Sequence, residues 1–488
     1  MEDSCYILKE YIQYHEDNIK KFGNNTIVLM AVGKFYEIYA VINDKINRGP
    51  DIYSISDILG IQVSRRNKSI DKISFDNYLM SGFPVDNAQK FVKILLNYNY
   101  TIVLVDQITE PPNPEREITK IISPGTSIEN YNSSDTNYLL SVFISKYCSD
   151  NRDIYSLGIS AIDISTGKNS IHSIRSNKYD NDIWSDELFR IIHFYNPSEI
   201  IFHGDHDEIN LSKSEISNRW SLPSNIIHYN CYSHNMFFKP SFQNEVLKKI
   251  FPNTGFLTPV EYLGIERELE MIYSYLFMVQ FIHEHKFDTI RDLPKPEIKE
   301  VSHNLLLSNN CIYQLYIVPN RDIMSGKNDS LLSIINNCKT PIGRRICKDR
   351  LLYPIIDSNK LQERYETIQL FLKKDENDYY YQYIIPHLTK IFDIEKLHRR
   401  MYLQLLTPYE FYTLHISYMY INKIVEQLKK YDISHALNSK YDKVIDYQNC
   451  YLNTFEMKEL EKYSLTNMNT SIFKRGKYPA IDELQATM

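Results

Sequence analysis

The apolar residues of this chain change period once, near residue 255, and that change restricts the folds open to it. Upstream, short runs rich in Val, Ile, Leu and Tyr, bounded by Gly, Pro, Asn and Ser, alternate with stretches of helical spacing, as α/β layers require. Downstream, strand signals are few. Glu261 to His285, Leu331 to Leu352, Ser358 to Lys374, Tyr380 to Leu405 and Pro408 to Lys430 read as helices, punctuated by Pro341, Pro354, Pro386 and Pro408. A chain of 488 residues outgrows one hydrophobic core. The expected architecture is multidomain: an α/β unit over 1–127, a second α/β unit over 136–250 and a mostly α-helical region over 251–488.

Composition narrows the function classes. Hydrophobic and charged shares of 43% and 24% describe a soluble globular protein, and no apolar run is long enough to span a bilayer. Met1-Glu2-Asp3-Ser4-Cys5 carries acids where a secretory signal needs positive charge, so an intracellular setting is expected. The 7 cysteines are scattered and form no Cys-x-x-Cys pair, which favours reduced thiols over a disulfide framework or a zinc site. A net charge of −6 is the wrong sign for a broadly basic nucleic-acid binder, so any DNA contact must come from local patches.

In the first unit, Tyr6, Ile7, Tyr11, Tyr14 and Ile19 give a helix with one apolar side, ended by Gly23-Asn24-Asn25. An apolar, β-prone run, Thr26 to Val32, then passes through Gly33 and Lys34 into Phe35-Tyr36-Glu37. Asp57 to Val63 leads to a basic turn, Ser64-Arg65-Arg66-Asn67-Lys68, and Met80-Ser81-Gly82-Phe83-Pro84 marks a tight turn. A helix over Ala88 to Asn97 precedes a strand over Thr101 to Val105, then Asp106-Gln107. A proline-rich loop at 111–114 follows, and the unit closes on Ser123-Pro124-Gly125-Thr126. In the second unit, Tyr138 to Ser145, Ile154 to Ser165, Ser170 to Ile174 and Glu199 to His203 read as strands, with a helix over Asp182 to Tyr195.

This order of motifs resembles the mismatch-recognition domain of the MutS family of DNA mismatch-repair proteins. The family's Gly-Asp-Phe-Tyr-Glu, Leu-Gly-Ile with a basic turn, Met-Ala-Gly-Ile-Pro, Glu-Gln and Thr-Pro-Gly-Thr have collinear counterparts here. They are Gly33 to Glu37, Leu59 to Arg66, Met80 to Pro84, Asp106-Gln107 and Ser123 to Thr126. Ile162 to Gly167 and Asn196 to Glu199 are similar to the family's connector domain, and the resemblance implies a ribonuclease H-like fold there, without nuclease activity. Leu331 to Arg345 and Asp393 to Arg400 are similar to two elements of its helical core and lever region. Gly476 to Leu484 looks like the start of a further lever helix.

An aromatic ring wedged between base pairs gains stacking worth about 1–3 kcal/mol without reading sequence. It also kinks the duplex. Kinking intact DNA costs on the order of 1–6 kcal/mol, and less where a mispair has already lost stacking. Phe35 is the candidate wedge. Glu37, two residues along an extended segment, shares its face. A carboxylate is repelled by phosphates, so its place beside the wedge suits a hydrogen bond to a displaced base, and the resemblance implies such a bond to a ring nitrogen. Tyr36 points the other way, into the core. Lys34 replaces the family's usual Asp and is a candidate phosphate contact, as are Arg65, Arg66 and Lys68; a solvated turn accounts for the last three equally well.

Three other constellations read as structure before chemistry. His203 to Asp207 sits at a strand end, where a polar turn is expected. His228, Cys231 and His234 lack the second ligand pair of a structural zinc site, and His283 and His285 point apart on a helix. No metal ligand set and no catalytic set is expected. No Gly-x-x-x-x-Gly-Lys-Ser/Thr occurs, so the ATP and magnesium that the family uses belong to an ATPase segment expected outside this chain. Two functions from different classes follow. One is a MutS-type module binding double-stranded DNA with mispaired or unpaired bases, completed by a separate ATPase-bearing chain or a second MutS-like subunit. The other is an acidic interaction scaffold that kept the architecture and lost the DNA task.

Overall fold

The computed structural model describes residues 2–109, 114–128, 136–149, 152–176, 182–204, 209, 211–232, 235–291, 293–299, 305, 307, 309–319, 328–375, 378–431, 433, 441–462 and 471–487. The chain divides into two compact units, Met1–Glu300 and Val301–Met488. Among the described residues no helix is long and apolar enough to cross a membrane.

The first unit begins with α1 (Glu2–Phe22), closed by Gly23, whose N–H meets the Ile19 carbonyl at 2.8 Å. Leu8, Tyr11 and Ile12 form its buried side, while Tyr6, expected there, is exposed. There follow β1 (Thr26–Val32), β2 (Phe35–Ile42), β3 (Asn47–Arg48), α2 (Ile52–Leu59), β4 (Ser64–Arg65), β5 (Leu79–Pro84), α3 (Ala88–Asn97), β6 (Thr101–Gln107) and β7 (Arg116–Ile122). The strands form one sheet in the order β4-β5-β2-β1-β6-β7, with β3 on β2. β1 is parallel to β6 and antiparallel to β2. It has strands on both edges, and helices cover both faces: Tyr11 of α1 packs edge-on against Tyr39, and Phe91 of α3 stacks on Phe83, which pairs with Tyr36 on the opposite face. That enclosure accounts for its unbroken apolar run.

A second sheet follows: β8 (Tyr138–Ser149), β9 (Arg152–Asp163), β10 (Lys168–Arg175), α4 (Ile183–Tyr195), β11 (Glu199–Gly204), α5 (Lys213–Arg219), β12 (Ile227–Tyr229), α6 (Pro240–Ile250), α7 (Pro259–Leu263), α8 (Leu269–Lys286) and β13 (Glu297–Lys299). Its order is β12-β11-β8-β9-β10-β13. An antiparallel meander, β8-β9-β10, carries parallel strands at both edges. Trp184, Leu188, Ile191 and Ile192 of α4 pack with Leu140, Val142, Leu157 and Phe202 of the sheet. α8 packs against β8 and β9. It comes so close that a Cβ on Gly158 would lie 2.0 Å from the Glu270 carbonyl oxygen. The helix expected over Glu261 to His285 is two helices, because Gly264 takes φ +77° and ends α7.

The second unit is helical: α9 (Asn309–Gln314), α10 (Leu331–Ile335), α11 (Pro341–Leu352), α12 (Ser358–Phe371), α13 (Tyr380–Leu388), α14 (Ile394–Tyr402), α15 (Pro408–Lys430), α16 (Tyr441–Leu452), α17 (Met457–Glu461) and α18 (Pro479–Thr487), with a short ribbon of β14 (Lys374–Asp375) and β15 (Asp378–Tyr379). Two expected helices are each split. Leu331 to Leu352 breaks at 336–340, where Thr340 caps α11 and Pro341 occupies its first turn. Tyr380 to Leu405 breaks at 389–393, where Asp393 caps α14. Both breaks serve one ion cluster. Arg345, 3% exposed, holds both carboxylate oxygens of Asp393 at 2.7 Å and Glu395 at 2.5 Å. The two motifs of this region are therefore halves of one buried contact.

Candidate nucleic-acid interface at the first hairpin

β1 and β2 pair Val32 with Phe35, so Gly33 and Lys34 alone make the turn. A two-residue hairpin favours glycine at its first position, and Gly33 takes φ +60°. β2 also pairs with β5, Phe35 against Pro84 and Glu37 against Gly82, and the Lys34 carbonyl accepts from Val85 N–H at 3.0 Å. The tip is thus held from both sides. At it, Lys34 is exposed and Phe35 is 46% exposed, a large apolar ring left in solvent by a rigid backbone.

Alternation puts Glu37 and Tyr39 on the Phe35 face. The Tyr39 hydroxyl donates to Glu37 Oε2. Burial, and then the Glu37 charge, push the Tyr39 hydroxyl up, so it stays protonated and the direction of that bond is fixed. Among the described residues no hydrogen bond reaches Glu37 Oε1. Gly82 keeps this carboxylate in place, since a Cβ there would lie 2.7 Å from the Tyr36 carbonyl oxygen and 3.1 Å from Glu37 Cγ. That is the physical content of the glycine in Met80 to Pro84.

Tyr36 faces the core, as expected, and its hydroxyl donates to Asp106 Oδ1 at 2.6 Å. The acid of the Asp106-Gln107 pair therefore anchors the residue between Phe35 and Glu37. Arg116 escaped the sequence reading. It is buried, donates to the Ala31 carbonyl at 3.2 Å and pairs with Glu10 at 3.2 Å, tying the hairpin to α1. Its only sequence signal is an arginine opening a strand straight after the proline-rich loop, of which 111–113 lie outside the described residues.

The basic turn lies elsewhere on the same sheet. Arg65 is level with Leu79 and hence with Ala40, so 65–68 lie five or more residues along from Phe35, roughly 16 Å or more by strand rise. Arg65 pairs with the exposed Asp71 at 2.6 Å, and Arg66 sits 5.9 Å from the Tyr78 ring centroid. Lys68 is exposed. Lys34 shares the tip with Phe35 and Glu37; the other three cations do not.

Ser123 to Thr126 joins the two sheets. Glu199, buried on β11, accepts from Ser123 Oγ at 2.5 Å and Gly125 N–H at 2.7 Å, and pairs with His228 at 2.9 Å. A Cβ on Gly125 would stand 2.8 Å from that carboxylate. His228 is committed here, Cys231 is exposed, and His234 lies outside the described residues, as do Asp205, His206 and Asp207.

The fold and the site define a class: a multidomain protein with two α/β sheets, a helical second unit, and an exposed aromatic at a hairpin tip beside a carboxylate that one described hydroxyl partners. Comparison with known sequences gives that class its family. Residues 11–131 match MutS domain I and residues 310–476 match MutS domain III. A putative DNA mismatch repair protein mutS homolog of Acanthamoeba polyphaga mimivirus is 30% identical over 97% of this chain and 44% of its own length. The DNA mismatch repair protein MutS of Caldanaerobacter subterraneus is 25% identical over 89% of this chain and 45% of its own. A mitochondrial DNA mismatch repair protein mutS homolog of Sarcophyton glaucum is 24% identical over 86% and 46%. The chain belongs to the MutS family, and it spans a little under half the length of these relatives.

Proposed function

We propose that this chain performs the recognition step of DNA mismatch repair, with Phe35 entering the stack of a mispaired duplex and Glu37 hydrogen-bonding the displaced base. The observation that carries the reading is the pairing of an exposed, backbone-fixed ring with a carboxylate to whose second oxygen no described residue donates, on one face of one strand. Phe35 needs no rearrangement to reach a groove. Glu37, repelled by phosphates, weakens binding to any duplex that does not give it a base edge. Lys34 meets the backbone at the tip. The Arg65 to Lys68 turn, roughly 16 Å away, would reach phosphates about five base pairs distant, at 3.4 Å per pair along a strand.

The order of the second sheet supports reading it as a ribonuclease H-like connector. Coupling to ATP hydrolysis, through a partner chain or further sequence that carries the ATPase, belongs to the same proposal.

Binding of this chain and of Phe35→Ala to matched and single-mismatch duplexes of equal length, at low and moderate salt, tests it. A mismatch preference that falls roughly 5- to 150-fold in the variant is expected, the loss of about 1–3 kcal/mol of stacking. Equal, steeply salt-dependent binding unaffected by the variant would leave only backbone contacts. No binding at low salt would favour the interaction scaffold, for which the net charge of −6 is the supporting fact.

A further inference from the structure

We propose that Tyr39 is a positioning residue of the recognition site: its hydroxyl holds Glu37 Oε2, leaves Oε1 alone to meet a base, and so sets how far the chain prefers a mispaired duplex to a matched one. The inference rests on the recognition reading above and adds to it a residue too buried to touch DNA itself. The stem of Glu37 is fixed by packing, since it lies over the bare Cα of Gly82, where a Cβ would stand 3.1 Å from its Cγ. Its head is not. The last torsion of a glutamate is broad and two-fold, so the carboxylate plane can turn and exchange its oxygens. The hydrogen bond from Tyr39 ends that freedom.

Tyr39 can hold the carboxylate because it is itself held. It is 2% exposed, and its ring stands edge-on to Tyr11, 5.3 Å away at 88°, and to Tyr78, 5.3 Å away at 86°. Tyr11 in turn donates its hydroxyl to the Val28 carbonyl of β1 at 3.0 Å. The Tyr39 backbone pairs with Met80 of β5. A phenol has one proton to give, and burial together with the Glu37 charge keeps it in place. It goes to Oε2. A run of packed rings therefore connects α1 and β1 to one carboxylate oxygen and fixes the direction of the other. A carboxylate free to turn would swing away from the phosphates of a matched duplex and lose its alignment with the base of a mispaired one. Both changes lower the preference.

The test is Tyr39→Phe, which removes the hydroxyl and keeps the ring, alone and together with Glu37→Ala. Each full-length chain is titrated with matched and single-mismatch duplexes of equal length that carry 2-aminopurine beside the mispair position. The Tm of Tyr39→Phe should fall by no more than roughly 2–4 °C. Its 2-aminopurine brightening at saturation, which reports the stack opened by Phe35, should match the wild type. Its mismatch preference should fall roughly 2- to 10-fold, the worth of one hydrogen bond. In the Glu37→Ala background the same change should alter the preference no further, because the hydroxyl acts through that carboxylate. A preference unchanged in Tyr39→Phe but lost in Phe35→Ala would overturn the positioning role and leave the recognition reading standing. Equal loss of affinity for both duplexes, or a loss of preference that persists beside Glu37→Ala, would overturn it as well, since a hydroxyl needed only for folding gives those results. Absence of any preference in the wild type would overturn both.

Discussion

Glu37 and Glu199 are both strand carboxylates of the first unit that accept side-chain hydroxyls, and they differ in what is left over. Glu199 is 3% exposed, with Ser123 and Gly125 on one oxygen and His228 on the other. Glu37 is half-buried, with Tyr39 on one oxygen and no hydrogen bond from the described residues on the other. A buried carboxylate whose acceptor capacity is filled is a fastening, because removing it strands several donors. One left half-filled beside an exposed ring has acceptor capacity to spare, which the proposed function assigns to a displaced base. Arg345 repeats the first pattern in the second unit, and Phe35 with Lys34 repeats the second at the hairpin.

The largest effects should therefore come from the fastenings. Glu199→Ala leaves Ser123, the Gly125 N–H and His228 without their acceptor, and Arg345→Ala leaves Asp393 and Glu395 close together without their cation. Each should cost about 3–5 kcal/mol in denaturant unfolding. Glu37→Ala should cost less, about 1–3 kcal/mol, since only one buried donor, the Tyr39 hydroxyl, loses a partner. A Glu37 variant as destabilising as the Glu199 one would break the contrast.

Acid sharpens it next. Burial holds His172 of β10 neutral, with its pKa lowered to about 3, and His15 of α1 at about 4. The stability from a histidine kept neutral is complete above its unfolded value near 6.5 and is lost as pH falls toward the folded value. Glu199 adds to this at lower pH: burial opposes its charge, but His228 and Ser123 outweigh that and hold its carboxyl below the usual range. Its stabilisation is present above the ordinary carboxylate value near 4 and is lost as pH falls through the lowered one. Unfolding free energy should fall by about 1.4 kcal/mol per pH unit per histidine between roughly 6 and 4. His172→Gln should remove one such slope while keeping a partner for the Tyr195 hydroxyl, 2.7 Å away. A slope unchanged in that variant would place the acid sensitivity elsewhere.

At the hairpin the effects move from stability to binding. With Glu37→Ala, the repulsion of phosphates is gone while Phe35 remains. Affinity for matched duplex should rise a few-fold and the preference for a mismatch should shrink, read from the two isotherms side by side. Loss of affinity for both duplexes would make Glu37 a general contact instead of a discriminator.

What was legible in the sequence follows the same division. α15 begins at Pro408 and ends at Lys430, as its spacing predicts, because Thr407, Pro408 and Glu410 form a cap from adjacent residues. The opposite facing of Tyr36 and of Phe35 with Glu37 was readable because alternation along an extended segment is local geometry. The breaks inside Tyr380 to Leu405 and Leu331 to Leu352 were not, since Asp393 and Arg345 lie 48 positions apart and nothing local says they meet. Glu199 was singled out only as the end of the connector-like Asn196 to Glu199 and the start of a strand, and its partners come from 76 positions upstream and 29 downstream. Arg116 was hidden for the same reason: its guanidinium closes on Ala31, 85 residues back.

The smallest predicted effect concerns the cations away from the tip. Arg65 is partly buried and its partner Asp71 is almost wholly exposed, at 30% and 97%. Exposed ion pairs of this kind contribute about 0–1 kcal/mol, so a phosphate can replace Asp71 at little cost. Asp71→Asn should leave unfolding unchanged within about 0.5 kcal/mol and strengthen binding to matched and mismatched duplexes alike. If Arg65 then engages a phosphate it previously lacked, the dependence of log affinity on log salt should steepen by about one. An unchanged slope would leave the turn a solvated surface and Lys34 as the cation that works with Phe35. A gain confined to the mismatched duplex would mean instead that the kink brings the backbone to the turn, so that wedge and turn act on one bent substrate.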